Sequence, residues 1–240
     1  MKKLIVITGA SSGFGKELAY LFSNAGHPLL LIGRRKELMY SYGLPYTLIK
    51  KVDVTDYSAF ELAVKEAEIK FGPVDLLINN AGVMHLGNVA NQNPLEWKNM
   101  LDTNVIGVLN GTKIVLESMI ERKTGTIINV SSISGKKTFA NHAAYSASKY
   151  GVHALTETIR EEVSDKNIRL LLVAPGASET ELLEHTTSSE LKENYREWKK
   201  TMGGLSLDPK YVASSINFMY DLPQEVAIRE LTIAATKQNA

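Results

Sequence analysis

"KLIVITGASSGFGKEL", residues 3–18, decides how the rest of the chain is read. Leu4 to Ile7 form a short apolar run rich in β-branched residues, the pattern of a strand covered on both faces. Thr8-Gly9 ends the run, and glycines recur at 13 and 15, between strand and helix, where a tight turn and close backbone approach are needed. A helix beginning there points free N–H groups and its positive dipole end into the crevice, a suitable place for a pyrophosphate. A glycine-rich loop alone is also an ordinary turn. Here it follows a clear strand, opens a helix and begins a βαβ unit, the context that dinucleotide binding requires. Gly9, Ser11, Ser12, Gly13, Phe14 and Gly15 are therefore candidate cofactor contacts.

Short apolar runs recur beyond this point, at 28–33, 46–53, 74–79, 125–131, 169–174 and 228–234. Between them lie segments of helical period at about 14–25, 56–71, 94–120, 143–165, 188–201 and 209–221. Strands alternating with helices predict a single-domain α/β fold, a doubly wound parallel sheet of about seven strands of the Rossmann type. No linker, low-complexity tract or repeat divides residues 1–240. The stretch 177–207 extends the sixth connection and is rich in Ser, Thr, Glu and Lys, which makes it a candidate substrate lid. Residues 34–45 leave room for only a reduced helix.

Charge is balanced, with 27 Lys and Arg against 26 Asp and Glu, so no excess draws the chain to nucleic acid or a membrane. No cysteine is present, which removes disulfides, thiolate nucleophiles and Cys-ligated metal sites, and no metal is expected. "MKKLIVITGA" briefly imitates a secretory signal, but its apolar run stops too soon. Nor does any segment approach the roughly 18 apolar residues of a membrane span. A cytoplasmic location is expected.

The second strand empties into Gly33-Arg34-Arg35-Lys36. Taken alone, three cations in succession read as a solvated turn. In a dinucleotide fold the end of this strand lies beside the adenosine ribose, where a carboxylate accepts the 2′-OH of NAD and a cation accommodates the 2′-phosphate of NADP. No acid precedes Glu37, and arginine forms forked hydrogen bonds to phosphate. Arg34 and Arg35 are thus read as a 2′-phosphate clamp and the cofactor as NADP(H). Ser12 is neutral where many NADP users carry a second base.

"AAYSASKYG" sets Tyr145 and Lys149 one helical turn apart on one face. A tyrosine with its ordinary pKa near 10 is a poor acid–base catalyst at neutral pH, and lowering it to about 7 takes about 4 kcal/mol. A lysine ammonium roughly 4 Å away, at an effective dielectric near 20, supplies about that much. Ser132, in "INVSSISG", precedes Tyr145 by 13 residues and ends a strand, where open α/β sheets bind ligands. Its hydroxyl is suited to donate to a substrate oxygen as charge develops there, with Ser131 as the alternative. Asn104 lies inside a long helical segment, where asparagine is mildly unfavourable.

"TGASSGFG", Asp53-Val54, "NNAG" at 79–82, Asn104, Ser132, "YSASK" and "PGASET", in that order, resemble the short-chain dehydrogenase/reductase family over nearly the whole chain. The resemblance implies that Tyr145 is the proton donor or acceptor, that Lys149 lowers its pKa and binds the nicotinamide ribose, and that Ser132 orients the carbonyl. Asn104 would hold a proton-relaying water. Asp53 and Val54 would flank the adenine, Asn80, Ala81 and Gly82 the adenosine side, and Pro175, Gly176 and Thr180 the nicotinamide. The implied activity is hydride transfer between a carbonyl and an alcohol. The segment from Asp221 to Gln238 lacks a Val-Asp-Gly-Gly ending and is similar to the branch of 3-hydroxy acid and clavulanic acid dehydrogenases.

Met84, His85, Asn141 and His142 are candidate substrate contacts, with Tyr195 and Trp198 placed to cover the cleft. Helices 94–120 and 143–165 carry apolar or small residues on more than one face, among them Met100, Val108, Leu109, Met119, Ala147, Ala154 and Val163. One buried face needs only a stripe, so a dimer or tetramer is expected. The rival reading is a non-catalytic NADP-sensing or scaffold protein on the same fold; a third, an epimerase or dehydratase, finds little room for its substrate domain.

Overall fold

In the computed structural model, which describes residues 2–202 and 206–238, seven strands form one parallel sheet. Residues 203–205, inside the expected lid, lie outside that description. The strands are β1 (Leu4–Thr8), β2 (Leu29–Gly33), β3 (Thr47–Lys51), β4 (Val74–Asn79), β5 (Thr126–Val130), β6 (Arg169–Pro175) and β7 (Glu230–Ile233). Their order is β3-β2-β1-β4-β5-β6-β7, so the order in which strands are added reverses between β1 and β4 while all strands stay parallel. The five inner strands, β1, β2, β4, β5 and β6, are buried at every position, which is why they read as nearly continuous apolar runs.

The helices are α1 (Gly13–Asn24), α2 (Lys36–Tyr40), α3 (Tyr57–Phe71), α4 (Pro94–Leu101), α5 (Gly107–Arg122), α6 (Ala143–Glu162), α7 (Ser189–Thr201) and α8 (Pro209–Asp221). α1 and α8 pack on one face through Leu18, Phe22, Val212 and Ile216. α3 and α5 cover the other through Phe60, Val64, Val115 and Met119. The five-residue α2 is the reduced helix that the short 34–45 segment predicts.

The expected 94–120 helix is continuous but changes its winding part-way. At Asp102–Ile106 it makes a single wide π-turn carrying Asn104. Such a turn inserts one residue into the helical ladder and re-aims the side chains around it. The faces expected to self-associate also change. Met100, Val108, Met119 and Val163 belong to the core, whereas Leu101, Ile106, Leu109, Ala147, Tyr150 and Ala154 remain exposed.

Arg169 opens β6 as a buried cation. Its guanidinium donates to Thr126 Oγ1 at 2.9 Å and to the carbonyls of Tyr220 and Leu222, each at 2.9 Å. It therefore satisfies the last carbonyls of α8, which in turn holds α1 in place. Arg169→Met leaves those carbonyls without a partner and is expected to cost about 3 kcal/mol in urea unfolding, with the slope of the transition unchanged.

Candidate active site

The crevice opens where β1 and β4 part. Gly9 turns the chain there with φ +63°, and a β-carbon on it would lie 2.8 Å from the Ala81 Cα. Both facts require glycine. Thr8 Oγ1 accepts from the backbone N–H groups of Asn80 and Ala81, both at 3.0 Å, and the Asn80 side chain donates back to the Thr8 and Gly9 carbonyls at 2.9 and 3.2 Å. Thr8 is a residue that the motif reading passed over. Its hydroxyl closes the glycine turn against the "NNAG" strand end.

A cavity of about 1160 Å³ runs from this turn across the carboxyl ends of the strands. Every expected cofactor position except Gly15 lines it, from Ser11 and Arg34 at one end to Tyr145, Lys149 and Gly176 at the other. Gly15 instead packs α1 against the loop, where a β-carbon would be 2.9 Å from Ala10 Cα. Ser12 precedes α1 without capping it. Its hydroxyl instead accepts from the Arg35 guanidinium at 2.8 Å, and that guanidinium also reaches Ser11 Oγ at 3.1 Å and Glu181 at 2.6 Å. The neutral Ser12 thus belongs to the basic corner by hydrogen bonding rather than by charge. A glycine turn, an uncapped helix start and an arginine backed by two hydroxyls make a donor set that fits a phosphorylated dinucleotide. Glu181, 146 residues away in sequence, has no local signal that would reveal it.

At the other end, Ser131 and Ser132 differ in what their hydroxyls do. Ser131 donates to the Lys149 carbonyl at 3.2 Å. Ser132 Oγ accepts from the Ser134 N–H at 3.1 Å, which leaves its own proton to donate. Lys149 is buried, and its ammonium donates to the Val130 carbonyl at 3.1 Å and lies 5.8 Å from the centre of the Tyr145 ring. Burial lowers its pKa from 10.5 to about 8.

The charge argument from sequence needs correction here. Burial pushes the Tyr145 hydroxyl above its ordinary range, and the Ser132 hydroxyl beside it works in the opposite direction. Desolvation is the largest influence on the phenol, and the same burial lowers the lysine. In the protein alone, then, the phenol's pKa is not drawn down towards the neutral range.

Asn104 is bonded to the protein through both ends of its amide. Its side-chain oxygen accepts from the Val83 N–H at 2.8 Å, and its amide donates to the Val83 carbonyl at 2.9 Å and to Ser148 Oγ at 3.0 Å. Ser148 in turn donates to the Tyr145 carbonyl at 2.7 Å. Both amide hydrogens and one acceptor site of the side-chain oxygen are taken by protein partners, so Asn104 positions the 82–84 loop and the Tyr145 turn.

Among the expected substrate contacts, Met84, Asn141 and His142 line the cavity. His85 does not. It turns towards α4, with Nε2 at 3.1 Å from Asn99 Oδ1. Gln238 joins the lining unannounced, its Oε1 accepting from the Ala177 N–H at 3.0 Å beside Gly176. Asp53 ties the following turn by accepting from the Thr55 N–H at 3.0 Å.

Residues 3–191 match the family model described as short chain dehydrogenase. The chain belongs to the short-chain dehydrogenase family. It is 36% identical over 243 residues to an uncharacterized oxidoreductase of Staphylococcus saprophyticus, covering 99% of this chain and 97% of the relative. Its fold is similar to that of serine dehydrogenase in a closed form complexed with NADP+, with a TM-score of 0.91 and 26% identity over 99% of this chain and 96% of that one. An actinorhodin polyketide ketoreductase variant with NADPH gives a TM-score of 0.87 and 29% identity over 100% and 98% of the two chains. This short-chain dehydrogenase is an oxidoreductase, and none of its described helices is long and apolar enough to cross a membrane.

Asn104→Ala removes the partners of a buried N–H and a buried carbonyl at Val83. An expected loss of about 2–4 kcal/mol in urea unfolding checks this, together with faster hydrogen exchange at the Val83 amide.

Proposed function

We propose that the protein is an NADP(H)-dependent oxidoreductase that interconverts a carbonyl and an alcohol. One observation carries the reading: the Ser132, Tyr145 and Lys149 side chains share a single cavity with the glycine turn and the Arg35 corner. The cofactor, when bound, supplies or accepts the hydride. Gly9 to Phe14 would hold its pyrophosphate, Asp53 and Val54 its adenine, and Asn80 to Gly82 its adenosine side. Arg34 and Arg35 would hold the 2′-phosphate, and Pro175, Gly176 and Thr180 would flank the nicotinamide.

Ser132 donates to the substrate oxygen and holds it beside the phenol. Tyr145 gives that oxygen a proton in reduction and takes it back in oxidation. Lys149, cationic below about pH 8, favours the tyrosinate and hydrogen-bonds the nicotinamide ribose. Asn104 keeps the surrounding backbone fixed. Residues 177–207 act as the lid over the substrate. The paired arginines and the C-terminal segment fit the NADP-preferring branch that contains the 3-hydroxy acid and clavulanic acid dehydrogenases. Exposed Leu101, Ile106, Leu109 and Tyr150 on the helices around α5 and α6 favour a homo-oligomer, dimer or tetramer.

The cofactor assignment predicts tighter binding of NADPH than of NADH by about 10- to 100-fold in fluorescence titration. Arg35→Ala should erase most of that preference while leaving NADH affinity within about threefold. Equal affinities in the native protein would refute the clamp.

Turnover is tested by loss of NADPH absorbance against aldehydes, diketones, β-keto esters and quinones. Activity should fall by at least about 1000-fold in Tyr145→Phe. Because the Lys149 pKa is lowered to about 8, its charge is present below that pH and lost above it. Accordingly kcat/KM should decline as pH rises through about 8, and Lys149→Arg, whose charge does not titrate there, should carry its residual activity further into base. NADPH binding without turnover across the whole panel would favour a sensing role.

A further inference from the structure

The cavity wall next to Tyr145 is aromatic. Phe139, His142, Tyr195 and Trp198 all line it, and they touch in a closed ring. Successive ring centres are 5.5 Å apart from Phe139 to His142, 6.3 Å to Tyr195, 5.2 Å to Trp198 and 6.3 Å back to Phe139. His142 joins the set to the Tyr145 ring at 6.2 Å. Met84 and Leu183 add apolar surface to the same cavity.

The charged side chains of α7 that border this space are paired. Lys199 meets Glu179 at 2.8 Å, Arg196 meets Glu184 at 2.9 Å, and Lys200 meets Glu197 at 2.5 Å. Lys137 stands over the Phe139 ring at 5.8 Å but is exposed and outside the lining. His142 is held towards its neutral form by burial. Arg34 and Arg35 lie at the opposite, phosphate-binding end.

Resting on the carbonyl–alcohol reading above, we infer that the substrate is a neutral ketone or aldehyde carrying an aromatic ring, seated on the Phe139–His142–Tyr195–Trp198 wall with its carbonyl at Ser132 and Tyr145. Among the described residues of this wall a carboxylate substrate would find no unpaired cation, and it would lose its hydration without compensation. A small aliphatic ketone would leave the aromatic faces in contact with nothing.

Methyl 4-acetylbenzoate, 4-acetylbenzoate and 2-butanone separate these possibilities, since the first two differ by one charge and the third lacks the ring. Expected is a kcat/KM for methyl 4-acetylbenzoate at least about 30-fold above either of the others. Trp198→Ala should raise its KM by about tenfold or more, with a smaller change in kcat. Greater efficiency on 4-acetylbenzoate or 2-butanone overturns the inference and leaves the oxidoreductase reading intact, as does turnover of other carbonyls with none of these three. If the entire carbonyl panel fails, tryptophan fluorescence decides. Trp97 is the one other tryptophan, so quenching by methyl 4-acetylbenzoate that is present in the native protein and absent in Trp198→Phe supports the aromatic site. Equal quenching in both, or none, overturns it.

Discussion

Parallel strands that part must leave backbone groups without partners, and the active crevice exists because this chain satisfies them with side chains. Beyond β1 the chain passes to α1 on one face; beyond β4 it passes to α5 on the other. The N–H groups of Asn80 and Ala81 and the carbonyls of Thr8 and Gly9 fall at that divergence. Thr8 Oγ1 and the Asn80 amide supply their partners. Unpaired, such buried groups cost about 1–3 kcal/mol each. The same bonds draw Gly9 so close to Ala81 that no β-carbon fits, and the cleft floor is therefore bare backbone. One hydroxyl and one amide thus fix both the topology's weak point and the surface on which a dinucleotide's phosphates can rest.

A second constraint is the burial of Lys149 without a carboxylate. Desolvation works against its charge and against the Tyr145 phenolate at once, so the two groups are poised in opposite directions from their ordinary values. A buried carboxylate nearby would have kept the lysine fully charged but neutralised its field at the phenol. The Val130 carbonyl holds the ammonium in place without cancelling it. Bonds from Ser131 to the Lys149 carbonyl and from Asn104 to Ser148 hold the helix that carries both groups.

The sheet was legible because its five inner strands are buried on both faces and the helices between them keep a steady period. Asn104 was legible as an oddity: an asparagine inside a long helical pattern, and the helix widens at that residue. What it does was not legible, because its partners Val83 and Ser148 come from two other segments. The same holds for His85, which looked like a loop residue near the substrate but is drawn to Asn99 on α4. The Tyr145–Lys149 electrostatics failed from sequence for a different reason. Spacing gives the separation along a helix, whereas the dielectric around it depends on which loops close over the pair. Local patterns report periodicity and turn chemistry; burial and long-range polar partners are properties of the assembled molecule.

The segment after β6 unites the two ends of the cavity. Thr180 lies over Gly13, where a β-carbon would meet its methyl at 3.1 Å. Glu181 pairs with Arg35, and five residues on, Thr186 Oγ1 accepts from the Leu86 N–H at 3.1 Å and donates to the Met84 carbonyl at 3.3 Å. A single short turn, Glu181–His185, is thereby tied to the Arg35 corner at one end and to the Met84–Leu86 loop at the other. The Glu181 carboxylate competes with any phosphate for the Arg35 guanidinium, and because the pair is about half exposed, its own contribution to stability is small. A weak ion pair is suited to that position. It holds the turn near the glycine loop while committing little stability to the contact.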